Sequence, residues 1–148
     1  MDDGEEGGGI VVTVTVAEVG RHEGEAVELA GWVYNRRSSG RIAFLLLRDG
    51  TGVIQCVVSR DRVGDRGLEV FERLTQESSC RVRGRVRADR RAPGGYEIEV
   101  TDLEPVHVAE DYPIKLKEHG VDFLMDHRHL WIRTPRQNAI LRVRAAVM

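Results

Sequence analysis

Apolar positions along this chain fall into short runs with a period near two, interrupted once by a helical period. Residues 10–16 (IVVTVTV) predict a short strand, and residues 16–22 a helical turn or bend. Residues 27–36 (VELAGWVYNR) partly alternate and are followed by SSG, a turn signal. Residues 42–48 (IAFLLLR) predict a second main strand, DGTG a tight turn, and residues 53–59 (VIQCVVS) a third. The period then changes. Within residues 65–74 (DRGLEVFERL), Leu68, Phe71 and Leu74 share one helical face, with Asp65 placed as N-cap. Two more strands, 80–88 (CRVRGRVRA) and 96–103 (YEIEVTDL), are joined through APGG. Beyond Pro105 the pattern becomes irregular, with Pro113 and Pro135, until residues 139–148 (AILRVRAAVM) begin an apolar-periodic helix.

Three strands, a helix and two strands is the order of an OB-fold, a five-stranded Greek-key barrel with its helix between strands three and four. A generic small antiparallel barrel is the competing architecture, and the position of the helix favours the OB order. The chain thus divides into a disordered acidic tail (1–9), a mostly β OB-fold (10–104), a hinge or connector (105–138) and the start of a helix (139–148).

Composition narrows the class without naming a function. The 148 residues suit one domain with an extension, and 41% hydrophobic with 31% charged residues is ordinary for a soluble protein. No apolar run approaches the roughly 20 residues of a membrane span. The opening MDDGEEGGG is the opposite of a signal or transit peptide, so the expected compartment is the cytoplasm. Cys56 and Cys80 lack metal spacing and suit reduced, structural thiols. Net charge is −2, yet five acids and no base lie in the first 20 residues, which leaves the remainder mildly positive. Twenty of the 22 basic residues are Arg, the side chain that pairs with phosphate and stacks on bases.

Two groups of arginines invite a nucleic-acid reading. Arg81, Arg83, Arg85 and Arg87 alternate along one strand and share a face, but Glu97 and Glu99 alternate on the next strand as a cross-strand ladder requires. That face reads as solvated and partly neutralised. Around the first three strands lie Arg36, Arg37, Arg41 and Arg48, with only Asp49 acidic nearby. Alternation sets Ile42, Phe44 and Leu46 opposite Ala43, Leu45 and Leu47, and an outward Phe44 ringed by Arg is a platform for an unpaired base. Gln55 can both donate and accept, and so can read a base edge. Phe44 in the core with Gln55 merely tolerated is the competing arrangement, and the pattern leaves both open.

The stretch DFLMDHRHLWIRTPRQ gathers Asp122, Asp126, His127 and His129, but without HExxH-type spacing and with Arg128 between the two histidines. No metal site is expected there. Nor is a nucleophile–base pair or a phosphate-binding glycine loop apparent elsewhere.

The string YPIKLKEHGVDFLMDHRHLWIRTPRQNAILRVRA (residues 112–145) resembles the segment that joins the anticodon-binding barrel to the catalytic domain in asparaginyl-tRNA synthetases. GWVYNRR, FLLLRDGTG and VIQCVV resemble the first strands of the N-terminal OB-fold in the aspartyl, asparaginyl and lysyl class II subgroup. EHGVDFLMDHRHLWIR is closer to the asparaginyl pattern than to the aspartyl one, which carries a tyrosine or phenylalanine before LDLRR; lysyl relatives depart further. The resemblance implies that Phe44 stacks on the central anticodon uridine, that Gln55 hydrogen-bonds it, and that Arg37 helps to hold it. Arg36 and Arg48 are implied as neighbouring phosphate or base contacts, and Arg128, Arg133 and Arg136 as contacts to the tRNA backbone. The Asp and His of the connector are implied to make structural hydrogen bonds. It also implies an intact enzyme that joins asparagine to its tRNA with ATP and Mg2+, as a homodimer, through catalytic motifs absent from these 148 residues. The fragment is therefore expected to bind tRNA, to hold no cofactor of its own and to lack catalytic residues. Residues 139–148 would open the catalytic domain. An aspartyl enzyme of the same subgroup and a free-standing OB-fold module are the alternatives.

Overall fold

The computed structural model of the protein describes residues 10–148, so the predicted acidic tail lies outside the described residues. The chain forms two compact units, the first ending at Glu110 and the second spanning Asp111–Met148.

In the first unit, β1 (Val12–Thr13) lies parallel to the long β2 (Ala26–Ser39), and β2 pairs antiparallel with β3 (Ile42–Arg48). A DGTG turn leads into antiparallel β4 (Val53–Ser59). Helix α1 (Arg60–Arg73) then carries the chain to β5 (Ser79–Ala88), which pairs antiparallel with β6 (Tyr96–His107). Parallel pairing of β4 with β6, and antiparallel pairing of β5 with β2, close the sheet. Backbones of paired strands approach closely at Gly31, beside the Arg48 carbonyl, and at Gly84, beside that of Glu99, where a β-carbon would collide.

The five long strands and the helix between the third and fourth are those expected of the OB order. Strand β2 runs on through Ser39 into the expected turn, and three other boundaries differ. The first predicted strand shrinks to two residues because the chain turns into a 3-10 helix at Val16–His22, entered where the Thr15 N–H donates to the Glu18 carboxylate at 3.0 Å. Helix α1 begins at Arg60, with Ser59 rather than Asp65 in the N-cap position. Gly64 (φ 68°, ψ −176°) breaks it, a conformation open to glycine, so Asp65 heads only the piece that follows. Strand β6 runs to His107 and the unit to Glu110, past the expected limit at residue 104.

Inside the barrel, Val27, Leu29, Leu45, Leu47, Ile54 and Val82 are sealed from solvent, and Phe71 of α1 and Leu74 just beyond it join the same core. Cys56 and Cys80 are free thiols in this core. Burial pushes the Cys80 thiol up to about 12 and raises that of Cys56 further, so both stay protonated and unreactive.

The second unit is more ordered than its sequence pattern predicts. It contains α2 (Val121–Asp126), a 3-10 turn (Trp131–Arg133) and α3 (Pro135–Val147). Helix α3 starts at Pro135 rather than at residue 139, because proline at the first helical position forfeits no hydrogen bond and arrives with helical φ. No helix among the described residues is long and apolar enough to cross a membrane.

Candidate nucleic-acid interface

The alternation of β3 resolves in one sense: Ala43, Leu45 and Leu47 fill the barrel, and Ile42, Phe44 and Leu46 face outward. Phe44 is half-buried on the outer surface. Arg37 stands directly opposite it on β2, its guanidinium 4.7 Å from the ring centroid. An aromatic with a cation over it is held in place at little entropic cost, and it offers both a π-surface and a charge. On β4, Gln55 pairs with Leu46, which puts it diagonal to Phe44 on the same face. Its Nε2 donates to Glu97 Oε2 at 3.2 Å. Arg37, Phe44 and Gln55 therefore come together, as a base-binding patch requires.

Arg36 and Arg48 do not join them. Arg36 donates from one terminal nitrogen to the carbonyls of Phe71 (2.7 Å) and Glu72 (2.9 Å), capping the C-terminal end of α1. Arg48 makes a two-pronged pair with the carboxylate of Glu77, 2.7 Å at each prong, and lies 5.9 Å from the Trp32 ring. Glu77 is buried and left-handed (φ 69°), so this guanidinium anchors a strained turn. Both arginines serve the fold.

The β5 ladder is neutralised as its sequence suggests. Arg83 reaches Glu28 at 2.6 Å and Asp102 at 3.5 Å. The hydrogen bond and charge of Glu28 hold its guanidinium above the ordinary value. Arg87 pairs with Glu97 and with Glu99, the latter at 2.8 Å, while Arg85 donates to the Gly24 carbonyl at 2.7 Å. One residue of this region was hidden in the sequence. Glu97 is only 2% exposed although it sits on the outer face, covered by Arg87 and Gln55. Its parity with Glu99 marks it as a ladder acid, but its parallel register with Gln55 appears only in three dimensions.

In the second unit, His119, Phe123 and His127 stack in series with centroids 4.3 and 4.4 Å apart, and His127 Nδ1 lies 2.9 Å from the Phe123 carbonyl oxygen. These histidines are structural. Arg128 lies over Trp131 at 4.9 Å, Arg133 is half-buried and Arg136 is exposed. Among the described residues no group of His, Cys, Asp or Glu is arranged to hold a metal ion.

A closed five-strand barrel with a helix between its third and fourth strands is an OB-fold, and this one carries an arginine-backed aromatic on its outer face. Residues 27–106 match the tRNA anticodon family model, described as an OB-fold nucleic acid binding domain, and the chain belongs to that family. Among its relatives, the asparagine–tRNA ligase of Symbiobacterium thermophilum is 61% identical over 131 residues, 88% of this chain and 30% of the relative. That of Roseiflexus castenholzii is 50% identical over 139 residues, 94% of this chain and 32% of the relative. The crystal structure of asparaginyl-tRNA synthetase from Pyrococcus horikoshii complexed with asparaginyl-adenylate superposes with a TM-score of 0.82 at 41% identity, covering 90% of this chain and 32% of that one. The chain spans about a third of the length of the curated relatives it matches.

Proposed function

We propose that this chain is the anticodon-binding part of an asparagine–tRNA ligase. The observation that carries the binding role is the single outward face that holds Arg37, Phe44 and Gln55 together. Identity of 50–61% to asparagine–tRNA ligases supports the choice of ligase. On this reading, the central anticodon uridine stacks on Phe44, Gln55 meets its Watson–Crick edge, and Arg37 faces the adjoining phosphate or base. Arg128, Arg133 and Arg136 line the path of the tRNA backbone. The anticodon-binding domain is the unit that ends at Glu110, and the residues from Asp111 onward lead toward the catalytic domain.

The whole protein would act in the cytoplasm as a homodimer, activating asparagine with ATP and Mg2+ before transferring it to the tRNA 3′ end. The present residues contribute by binding: they select the tRNA and place its acceptor end at a distant site. A charging assay on the full-length protein, with asparagine and aspartate tRNAs and both amino acids, tests the assignment. Asparagine attached to its own tRNA is the expected product. Aspartate attached to tRNA, with no asparagine product, would move the chain to the aspartyl relatives.

A further inference from the structure

Strand β6 ends at His107, yet two residues later the backbone of Ala109 is held at both of its polar groups by side chains from the turn between α1 and β5. A carbonyl only accepts, so Thr75 Oγ1 gives its one proton to the Ala109 oxygen. Thr75 Oγ1 must then accept from Ser78 Oγ, 2.9 Å away. Ser78 Oγ in turn accepts from the Ala109 N–H at 3.0 Å and the Thr75 N–H at 3.1 Å. Every proton of this ring has one assignment. The turn that carries the two hydroxyls is itself fixed. Ser78 is sealed from solvent, and backbone bonds tie Glu77 and Ser78 to Val33 of β2 at 2.7 and 2.8 Å. Glu77 is left-handed and held by Arg48, the last residue of β3. A continuous set of bonds therefore runs from the strand that bears Phe44 to the point where the chain leaves the barrel. The next unit opens at Asp111, which is also left-handed (φ 51°).

We propose that Thr75 and Ser78 are positioning residues, whose hydroxyls clamp Ala109 and so fix where the chain leaves the barrel toward the rest of the ligase. The inference rests on the ligase reading above. Anticodon binding at the barrel helps a reaction at a distant acceptor end only if the connection between them transmits position. Beyond His107 the sheet no longer holds the strand, and the two hydroxyls take over, one on the C=O and one on the N–H of a single residue. Loss of the Thr75 hydroxyl frees the Ala109 carbonyl and leaves the Ser78 proton without its acceptor. The barrel core and its outer face do not depend on that hydroxyl, because Thr75 is exposed and lies outside every strand. Binding and transfer should therefore come apart.

The test compares Thr75→Val with Thr75→Ser in the full-length protein. Thr75→Val keeps the branched shape and removes the hydroxyl, while Thr75→Ser keeps the hydroxyl. Three quantities are read: affinity for an anticodon stem-loop, tRNA-free activation of asparagine by ATP, and the single-turnover rate of charging at saturating tRNA. In Thr75→Val the first two should match wild type. The charging rate should fall roughly tenfold, within the range that a small misplacement of reacting groups costs. Thr75→Ser should restore it. An unchanged charging rate in Thr75→Val overturns the proposal, as does a rate that falls together with activation or stem-loop affinity, the mark of general damage. So does a Thr75→Ser protein as slow as Thr75→Val. A full-length wild type that charges no asparagine defeats the ligase reading, and the clamp's role with it. A wild type that charges normally and is indifferent to Thr75→Val defeats the clamp alone. Independently of any substitution, NMR of the 148-residue chain should show the Ala109 amide exchanging slowly with solvent, and exchange at the open-chain rate overturns the proposal.

Discussion

Two arginine-bearing strips lie on the outside of the same barrel, and they differ in what the arginines touch. On β5, Arg83 and Arg87 are each bound to two acids and Arg85 to a carbonyl. On β2 and β3, Arg37 rests on Phe44 and, among the described residues, makes no ion pair. The two groups hold equal numbers of arginines, four each, but more of the charge on the β5 strip is matched by acids. Exposed ion pairs hold each other's fields in check and add little to stability, so they clothe a sheet. A guanidinium held by an aromatic ring keeps its charge for a ligand while the ring supplies the stacking surface. Arginine content therefore says less about a nucleic-acid face than the identity of each arginine's partner.

Arg48 gives the largest expected effect and tests the partner rule from the structural side. It lies near the proposed face in sequence, but holds buried Glu77 by two 2.7 Å bonds. Arg48→Ala should cost roughly 3 kcal/mol of stability, the penalty for removing one member of a buried pair. Urea denaturation measures it. RNA affinity per folded molecule should stay near wild type, and a selective loss of affinity with stability intact would return Arg48 to the binding face.

Phe44→Ala should show the reverse separation. The ring points out of the core, so stability should change by less than about 1 kcal/mol. Affinity for the cognate stem-loop should fall by about 1–3 kcal/mol, the worth of one base–aromatic stack. Titration at moderate salt, with circular dichroism as the folding check, reads both quantities. An unchanged dissociation constant would leave the β2–β4 strip as ordinary surface.

The contrast between the strips was only partly legible in the sequence. β3 and β4 could be bounded because long apolar runs end at a DG turn and at Ser59, signals local to a few residues. The direction of Phe44 could not be read, because all six residues of IAFLLL are apolar and parity alone has no sign. The sign comes from closure of the sheet, which turns Leu45 and Leu47 inward. Arg36 and Arg48 flank the strands of the proposed face, and the family resemblance implies them as its neighbouring contacts. Their partners lie 29 to 36 residues further along the chain, beyond any local pattern. Glu97 was legible as an acid facing Arg87, but its burial and its hold on Gln55 depend on the parallel β4–β6 pairing. The start of α1 was missed because Gly64 interrupts its period. The family resemblance in the connector string supplied what the local patterns could not, the choice of Phe44, Gln55 and Arg37.

The smallest expected effect is the one that compares the strips directly. If Arg37 meets a phosphate, replacing it by alanine removes one released counterion, and the slope of log affinity against log salt should flatten by about 0.7 for a single-stranded target. Between 50 and 200 mM salt that amounts to a difference of only about two- to threefold, so it must be taken from a full salt series. Arg83→Ala is the matched control, since it deletes the same charge from the neutralised strip and frees Glu28 and Asp102. Its slope should match wild type. Equal flattening by both substitutions would mean that RNA senses the overall charge of the barrel, and the distinction between the strips would fail. A wild-type slope for Arg37→Ala with reduced affinity would assign Arg37 to the base, beside Phe44, because a contact that releases no counterion leaves the salt dependence alone.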